Sequence, residues 1–143
     1  MTEKGSAPAL RGVLETGLYV DDLDRAKRFY SEVLGLAVLA ADERFCALDA
    51  GPASVLLLFL RGATQETVHL PGGTIPPHGG SGPVHFAFAI AAADRSAWER
   101  WLAECGIPIE GTTDWPRGGH SIYFRDPDGH LAELATPGIW QTY

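Results

Sequence analysis

The sequence predicts an α+β domain built from two βαβββ modules, and three observations carry that prediction. The same order, a strand, a capped helix and then short strands, reads twice along the 143 residues. The two passes superpose at a constant offset of 70 residues, which brings Glu15 onto His85, Val20 onto Ile90, Asp24 onto Asp94 and Arg25 onto Arg95. Each predicted helix ends on a glycine, Gly35 and Gly106, and these align after one inserted residue. An internal repeat of this length is a signal at the level of the fold.

The elements follow in order. Residues 12–20 are rich in β-branched and aromatic side chains and predict a strand. Asp21, Asp22 and Asp24 then supply N-cap chemistry and negative charge at a helix start. Leu23, Ala26, Phe29, Tyr30, Val33 and Leu34 form a helical apolar stripe that Gly35 stops. Strands are expected at 37–40, 44–49 and 54–61. In the second pass 84–90 predicts a strand, and Asp94 is placed to cap a helix over 95–105 whose stripe is Ala97, Trp98, Trp101, Leu102 and Cys105. Strands are then expected at 107–110, 120–125 and 130–136. The turn Asp126-Pro127-Asp128-Gly129 joins the last two, with Pro and Gly where a tight turn needs them.

Module one thus spans about residues 12–61 and module two about 84–137 of a single domain, residues 1–143. Between them, 62–83 is rich in Gly and Pro and carries Glu66, His69 and His78. A connection of this length is either a linker or a lid over a site. Such loop residues are more often simply solvated. Over a cavity, a histidine there would serve as an acid or base.

Composition excludes several functions. The net charge of −7 and the absence of a Lys/Arg cluster argue against nucleic acid and anionic membrane as partners. No apolar run is long enough to span a bilayer, the longest being 55–60. Residues 1–11 lack the apolar core of a signal peptide. Cys46 and Cys105 form no CxxC pair, so two buried reduced thiols in a cytoplasmic protein are expected.

Strand periodicity then points to a cavity. Glu15, Gly17 and Tyr19 share one face of the first strand, opposite Leu14, Thr16, Leu18 and Val20. His85, Ala87 and Ala89 share a face of the matching strand, opposite Val84, Phe86, Phe88 and Ile90. In both, an ionisable group is followed by small or polar positions on the face that the core does not claim. Glu133, in Leu131-Ala-Glu-Leu-Ala135, either faces water or is buried with a partner, because a lone buried carboxylate is prohibitively costly. For His85 alone, a core histidine tied to a backbone carbonyl would be the simpler reading. Trp115 and Arg117 before the closing hairpin offer an aromatic wall and a cationic anchor; Tyr19 and Tyr123 offer further contacts to a bound molecule. Trp98 and Trp101 read as packing.

The string Leu18-Tyr-Val-Asp-Asp-Leu-Asp-Arg-Ala-Lys-Arg-Phe-Tyr-Ser-Glu-Val-Leu-Gly-Leu36 resembles the first strand and helix of the vicinal oxygen chelate superfamily. Ser121-Ile-Tyr-Phe-Arg-Asp-Pro-Asp-Gly-His-Leu-Ala-Glu-Leu134 is similar to its closing hairpin, and the likeness runs over about residues 12–137. The superfamily includes glyoxalase I, extradiol dioxygenases, fosfomycin-resistance enzymes, methylmalonyl-CoA epimerase and bleomycin-resistance proteins. The resemblance implies an incompletely closed, eight-stranded mixed barrel with one site in its cavity.

It also implies one divalent metal ion held by Glu15, His85 and Glu133, with Glu15 or Glu133 able to exchange for substrate and act as catalytic base. Matching Leu58 to Leu134 sets Leu57 where glyoxalase-like members have a fourth ligand, and leucine cannot coordinate. Two carboxylates and one imidazole suit Fe(II), Mn, Ni, Co or Mg, with Zn less favoured. Three protein ligands leave open positions for substrate oxygens.

The leading expectation is therefore a metal-dependent lyase or isomerase that chelates a small oxygenated substrate and stabilises an oxyanion. An Fe(II)-dependent ring-cleaving dioxygenase and a metal-free drug-binding protein of the bleomycin-resistance type are the alternatives. Relatives pair as homodimers, with the site in one chain or shared by exchange of modules.

Overall fold

A computed structural model describes residues 5–143. Two four-stranded sheets and a separate two-stranded hairpin make up its β-structure. The first sheet comprises β1 (Glu15–Val20), β2 (Val38–Ala41), β3 (Phe45–Asp49) and β4 (Val55–Leu60) in the order β1-β4-β3-β2. The second comprises β7 (His85–Ala89), β8 (Gly111–Asp114), β9 (His120–Arg125) and β10 (Leu131–Ala135) in the order β7-β10-β9-β8. In each the first strand lies parallel to the last and the remaining pairs are antiparallel. The repeat inferred from sequence is thus a repeat of topology. The eight strands do not join into one barrel within the chain: β1 and β7, the two edges that would have to meet, make no ladder with each other.

The helices follow the strand-to-strand crossovers. Asp22 caps α1 (Leu23–Arg28), its carboxylate accepting from the Arg25 N–H at 3.0 Å. The helix runs on as a π-helical turn, Phe29–Val33, and closes through Gly35 at φ 72°, with the Leu36 N–H bonded to the Tyr30 carbonyl. Helix α2 (Arg95–Glu104) ends in a Schellman arrangement. There Gly106 takes φ 70°, and the Ile107 and Gly106 amides reach the carbonyls of Leu102 and Ala103. Asp94 does not cap α2. It closes a 3-10 turn, Ala92–Asp94, and its backbone is already helical, so its side chain is not aimed at the next amides.

One core serves both modules: Leu18, Val20, Tyr30, Leu56 and Leu58 pack with Leu102, Ile122, Phe124 and Leu134. Tyr30 also donates a hydrogen bond across it to Asp126 at 2.7 Å. Asp126 in turn accepts from the amides of Asp128 and His130, so the closing turn is tied to α1. His130 bridges the modules a second time, with Nδ1 accepting from the Val84 amide and Nε2 donating to the Tyr19 carbonyl.

Three further readings are refined by the structure. The strand expected at 107–110 is the connection after α2, and the strand is β8 at Gly111–Asp114; Pro108 has no N–H to give a ladder. The 62–83 segment is not structureless, since β5 (Val68–Leu70) and β6 (Gly73–Ile75) pair within it. Both cysteines are free, but only Cys46 is buried, and burial pushes its thiol pKa up; Cys105, at the C-cap of α2, is half-exposed. No helix among the described residues is long and apolar enough to cross a membrane.

Candidate metal centre

The strand faces position the ionisable groups. Leu18 and Val20 turn into the core from β1, leaving Glu15, Gly17 and Tyr19 on the open side. On β10, Ala132 and Leu134 are buried in the core, while Glu133 points to the opposite face, where it is also covered.

His85 and Glu133 converge. His85 Nδ1 lies 3.0 Å from the Leu131 carbonyl, an oxygen that can only accept, so Nδ1 carries the proton of the neutral ring. That leaves the Nε2 lone pair facing Glu133 Oε1 at 3.1 Å. Two lone-pair atoms at this distance need a cation between them, either a proton on Nε2 or a metal ion. Oxygen and nitrogen ligands about 2.1 Å from an octahedral ion lie ~3.0 Å apart along an edge, so the pair fits cis coordination.

The other carboxylate oxygen is held from behind. Ser121, fully buried, donates to Glu133 Oε2 at 2.5 Å, and the Trp115 indole N–H donates to Ser121 Oγ at 2.8 Å. This chain of bonds orients Glu133 and satisfies an acceptor that burial would otherwise leave unpaired. Ser121 was not singled out from the sequence. Its signal was its place two residues before Tyr123 on β9, on the face that meets Glu133.

The pair opens into a cavity of about 520 Å³ walled by Trp115, Tyr123 and Trp140. The terminal segment after β10 forms part of the wall, and Tyr143 anchors it by donating to the Ala135 carbonyl at 2.8 Å. Gly119 and Gly138 let it come that close: a Cβ on Gly119 would lie 2.7 Å from the Gly138 carbonyl carbon.

Glu15 is elsewhere. It lines a second cavity, of about 330 Å³, on the open face of the first sheet, together with Arg44, Phe59, Glu66 and His78. No three His, Cys, Asp or Glu side chains gather within metal-binding reach among the described residues. The expected triad therefore divides within one chain into His85 with Glu133 on one sheet and Glu15 on the other. The division follows from the separation of β1 from β7.

The strand registers also place Leu57. Gly17 pairs with Leu57 as Ala87, its repeat equivalent, pairs with Glu133, so leucine occupies the position matching the ligand glutamate. Of the other predicted contacts, Trp115 and Tyr123 line the His85 cavity and Tyr19 sits beside the Glu15 cavity, hydrogen-bonded to His78. Arg117 is exposed and lines neither. His69 lies on β5, exposed, and His120 pairs with Asp114 at 2.7 Å across β8 and β9.

The family model for the Glyoxalase/Bleomycin resistance protein/Dioxygenase superfamily matches residues 12–134. The chain belongs to this superfamily. Among curated proteins of the superfamily, it is 31% identical over 118 residues to metallothiol transferase FosB of Staphylococcus saprophyticus, covering 82% of this chain and 71% of that one. It is 32% identical over 120 residues to glutathione transferase FosA of Serratia marcescens, covering 82% and 74%. Among solved structures, lactoylglutathione lyase from Agrobacterium tumefaciens superposes with a TM-score of 0.85 at 32% identity, over 94% of this chain and 99% of that one. These likenesses support a metal-dependent enzyme of the glyoxalase superfamily.

Proposed function

We propose that this chain is a divalent-metal enzyme of the lyase or isomerase type, in which Glu15, His85 and Glu133 would hold an ion that would bind two oxygens of a small substrate and supply Lewis-acid stabilisation of an oxyanion. The approach of His85 Nε2 and Glu133 Oε1 to 3.1 Å, with the imidazole proton held on the far nitrogen, carries this reading. Glu15 is the third ligand, supplied by a second copy. In a two-fold dimer, module one of each copy faces module two of the other, and both half-sites are completed at once. Exposed Leu14 and Val84, at the starts of the two edge strands, and exposed Trp140 on the cavity wall fit a surface that such pairing would cover.

Two carboxylates and one imidazole bring the first coordination sphere of an M²⁺ ion to about neutral, which favours a substrate of low charge. Metallothiol transfer and glutathione transfer, the activities in the names of the FosB and FosA relatives, are neighbouring reactions for such a site.

A second reading, metal-free binding of a planar cationic drug, draws on the aromatic wall of Trp115, Tyr123 and Trp140 around Glu133. Metal content decides between them. Elemental analysis of protein purified without chelator is expected to find about one divalent ion per chain. Glu15→Ala and His85→Ala should each abolish binding while folding normally. A wild-type protein that takes up no Fe(II), Mn(II), Ni(II) or Zn(II) would overturn the enzyme reading and leave the drug-binding one.

A further inference from the structure

The cavity that contains Glu15 also holds an imidazole that the metal reading leaves unused. His78 comes from the connection between modules, and its Nδ1 lies 2.6 Å from the Tyr19 hydroxyl. The hydroxyl has no other protein acceptor among the described residues, and either Tyr19 or the ring can supply the proton of this bond. A neutral imidazole carries one N–H; where Tyr19 donates, Nδ1 accepts and the N–H sits on Nε2. Nε2 makes no hydrogen bond to the described residues, while the ring lines the cavity beside Glu15.

The connection is fastened so that the ring stays there. The His78 N–H donates to the Thr64 carbonyl at 2.9 Å, and the buried Thr64 hydroxyl donates back to the His78 carbonyl at 2.5 Å. Phe59 packs edge-on against the ring, with centroids 4.7 Å apart. Two residues on, Gly80 lies so close to Tyr19 that a Cβ would stand 2.8 Å from the phenol ring. Arg61 straps this contact by donating to the Gly80 and Tyr19 carbonyls. A ring needed only to fill space beside Phe59 would not require one nitrogen held from behind and the other left free in front.

We propose that Tyr19 donates to Nδ1 and that His78, as neutral imidazole, would donate its Nε2–H to a substrate oxygen on which negative charge develops. Tyr19 is then the positioning residue that selects the tautomer. No bond to nitrogen breaks; the hydrogen bond strengthens as charge builds on the oxygen, which is the condition for it to lower a barrier rather than merely bind. This rests on the reading of Glu15 as a ligand at the same cavity.

Two measurements test it. In ¹⁵N-histidine-labelled protein, the nitrogen shifts of His78 should report the Nε2–H tautomer, and Tyr19→Phe should turn it into a mixture. Acetohydroxamate, a bidentate oxygen chelator that copies an enediolate, is then titrated into metal-loaded protein. His78→Phe should weaken it about tenfold, the worth of one hydrogen bond to an anion. His78→Gln, which keeps an N–H near the same place, should recover most of the loss, with metal content unchanged in both variants. An Nδ1–H tautomer in the wild type, or equal acetohydroxamate affinity in His78→Phe and wild type, would overturn the assignment. Failure of the metal reading is separate: it shows as wild-type protein that loads no ion, before any chelator is added.

Discussion

At the scale of single residues, Glu133 is held more tightly than a surface carboxylate, and the hold comes from Ser121. Its hydroxyl accepts from Trp115 and donates to Oε2, so removing it frees the carboxylate to rotate and leaves an indole N–H short of a partner. Outer partners of metal ligands are worth roughly 10–100-fold in metal affinity. Ser121→Ala is expected to cost about tenfold, read by competition with a chromophoric chelator, while Ser121→Thr retains most of the affinity. Unchanged affinity in the alanine variant would mean that the carboxylate orients itself.

Period-two reading of the strands was enough to put Glu15 and His85 on faces opposite the core residues, while Glu133 was singled out by the likeness of the closing hairpin. It did not reveal Ser121, because a serine between His120 and Ile122 has no signature until its cross-strand neighbours are known. Nor did it reveal His130, in the closing turn, as a buried histidine with both ring nitrogens bonded to backbone, to Val84 and Tyr19. Those contacts join residues far apart in sequence, and no local pattern encodes them.

At the scale of elements, the Tyr30–Asp126 bond joins the π-helical turn after α1 to the closing turn of module two. Burial and the neighbouring Asp126 carboxylate push the Tyr30 hydroxyl pKa far above its ordinary value near 10. The folded state therefore keeps the proton that the unfolded chain loses. This contribution to stability is fully present below about pH 10 and is lost as pH rises beyond it, because ionisation then favours the unfolded chain. Tyr30→Phe should flatten that alkaline decline in urea unfolding while lowering stability near neutrality by about 1–3 kcal/mol, since Asp126 loses a donor. A decline of equal slope in both proteins would assign it to other groups.

The same elements show why sequence reading succeeded where it did. Capped α1, the glycine stops of α1 and α2 and the Asp126–Gly129 turn depend on contacts a few residues apart, and they stand within a residue or two of where they were expected. Edge strand β8, Gly-Thr-Thr-Asp, has neither apolar alternation nor bulk, and the neighbouring Ile107-Pro108-Ile109 was the more strand-like string. What places β8 is pairing with β9, which holds Thr113 opposite Ser121.

At the scale of the whole molecule, the proposed triad makes assembly part of the chemistry, because Glu15 stands apart from His85 and Glu133 within one chain. An internal repeat predicts two similar sheets but does not say whether their open faces close on each other or on those of another copy. The chain leaves them as distinct cavities. Shared sites have a consequence that sites within one chain do not. Glu15→Ala destroys the site through one module and His85→Ala through the other, so a mixed dimer carries one site with both defects and one with neither. Co-refolding equal amounts of the two inactive variants gives half mixed dimers and should restore about a quarter of wild-type metal loading. The mixture refolded from either variant alone should restore none. Sites built within single chains would stay broken in every combination, and sedimentation would show whether dimers had formed at all. Recovery near a quarter, with dimers present, is therefore the result that ties Glu15 of one copy to His85 and Glu133 of the other.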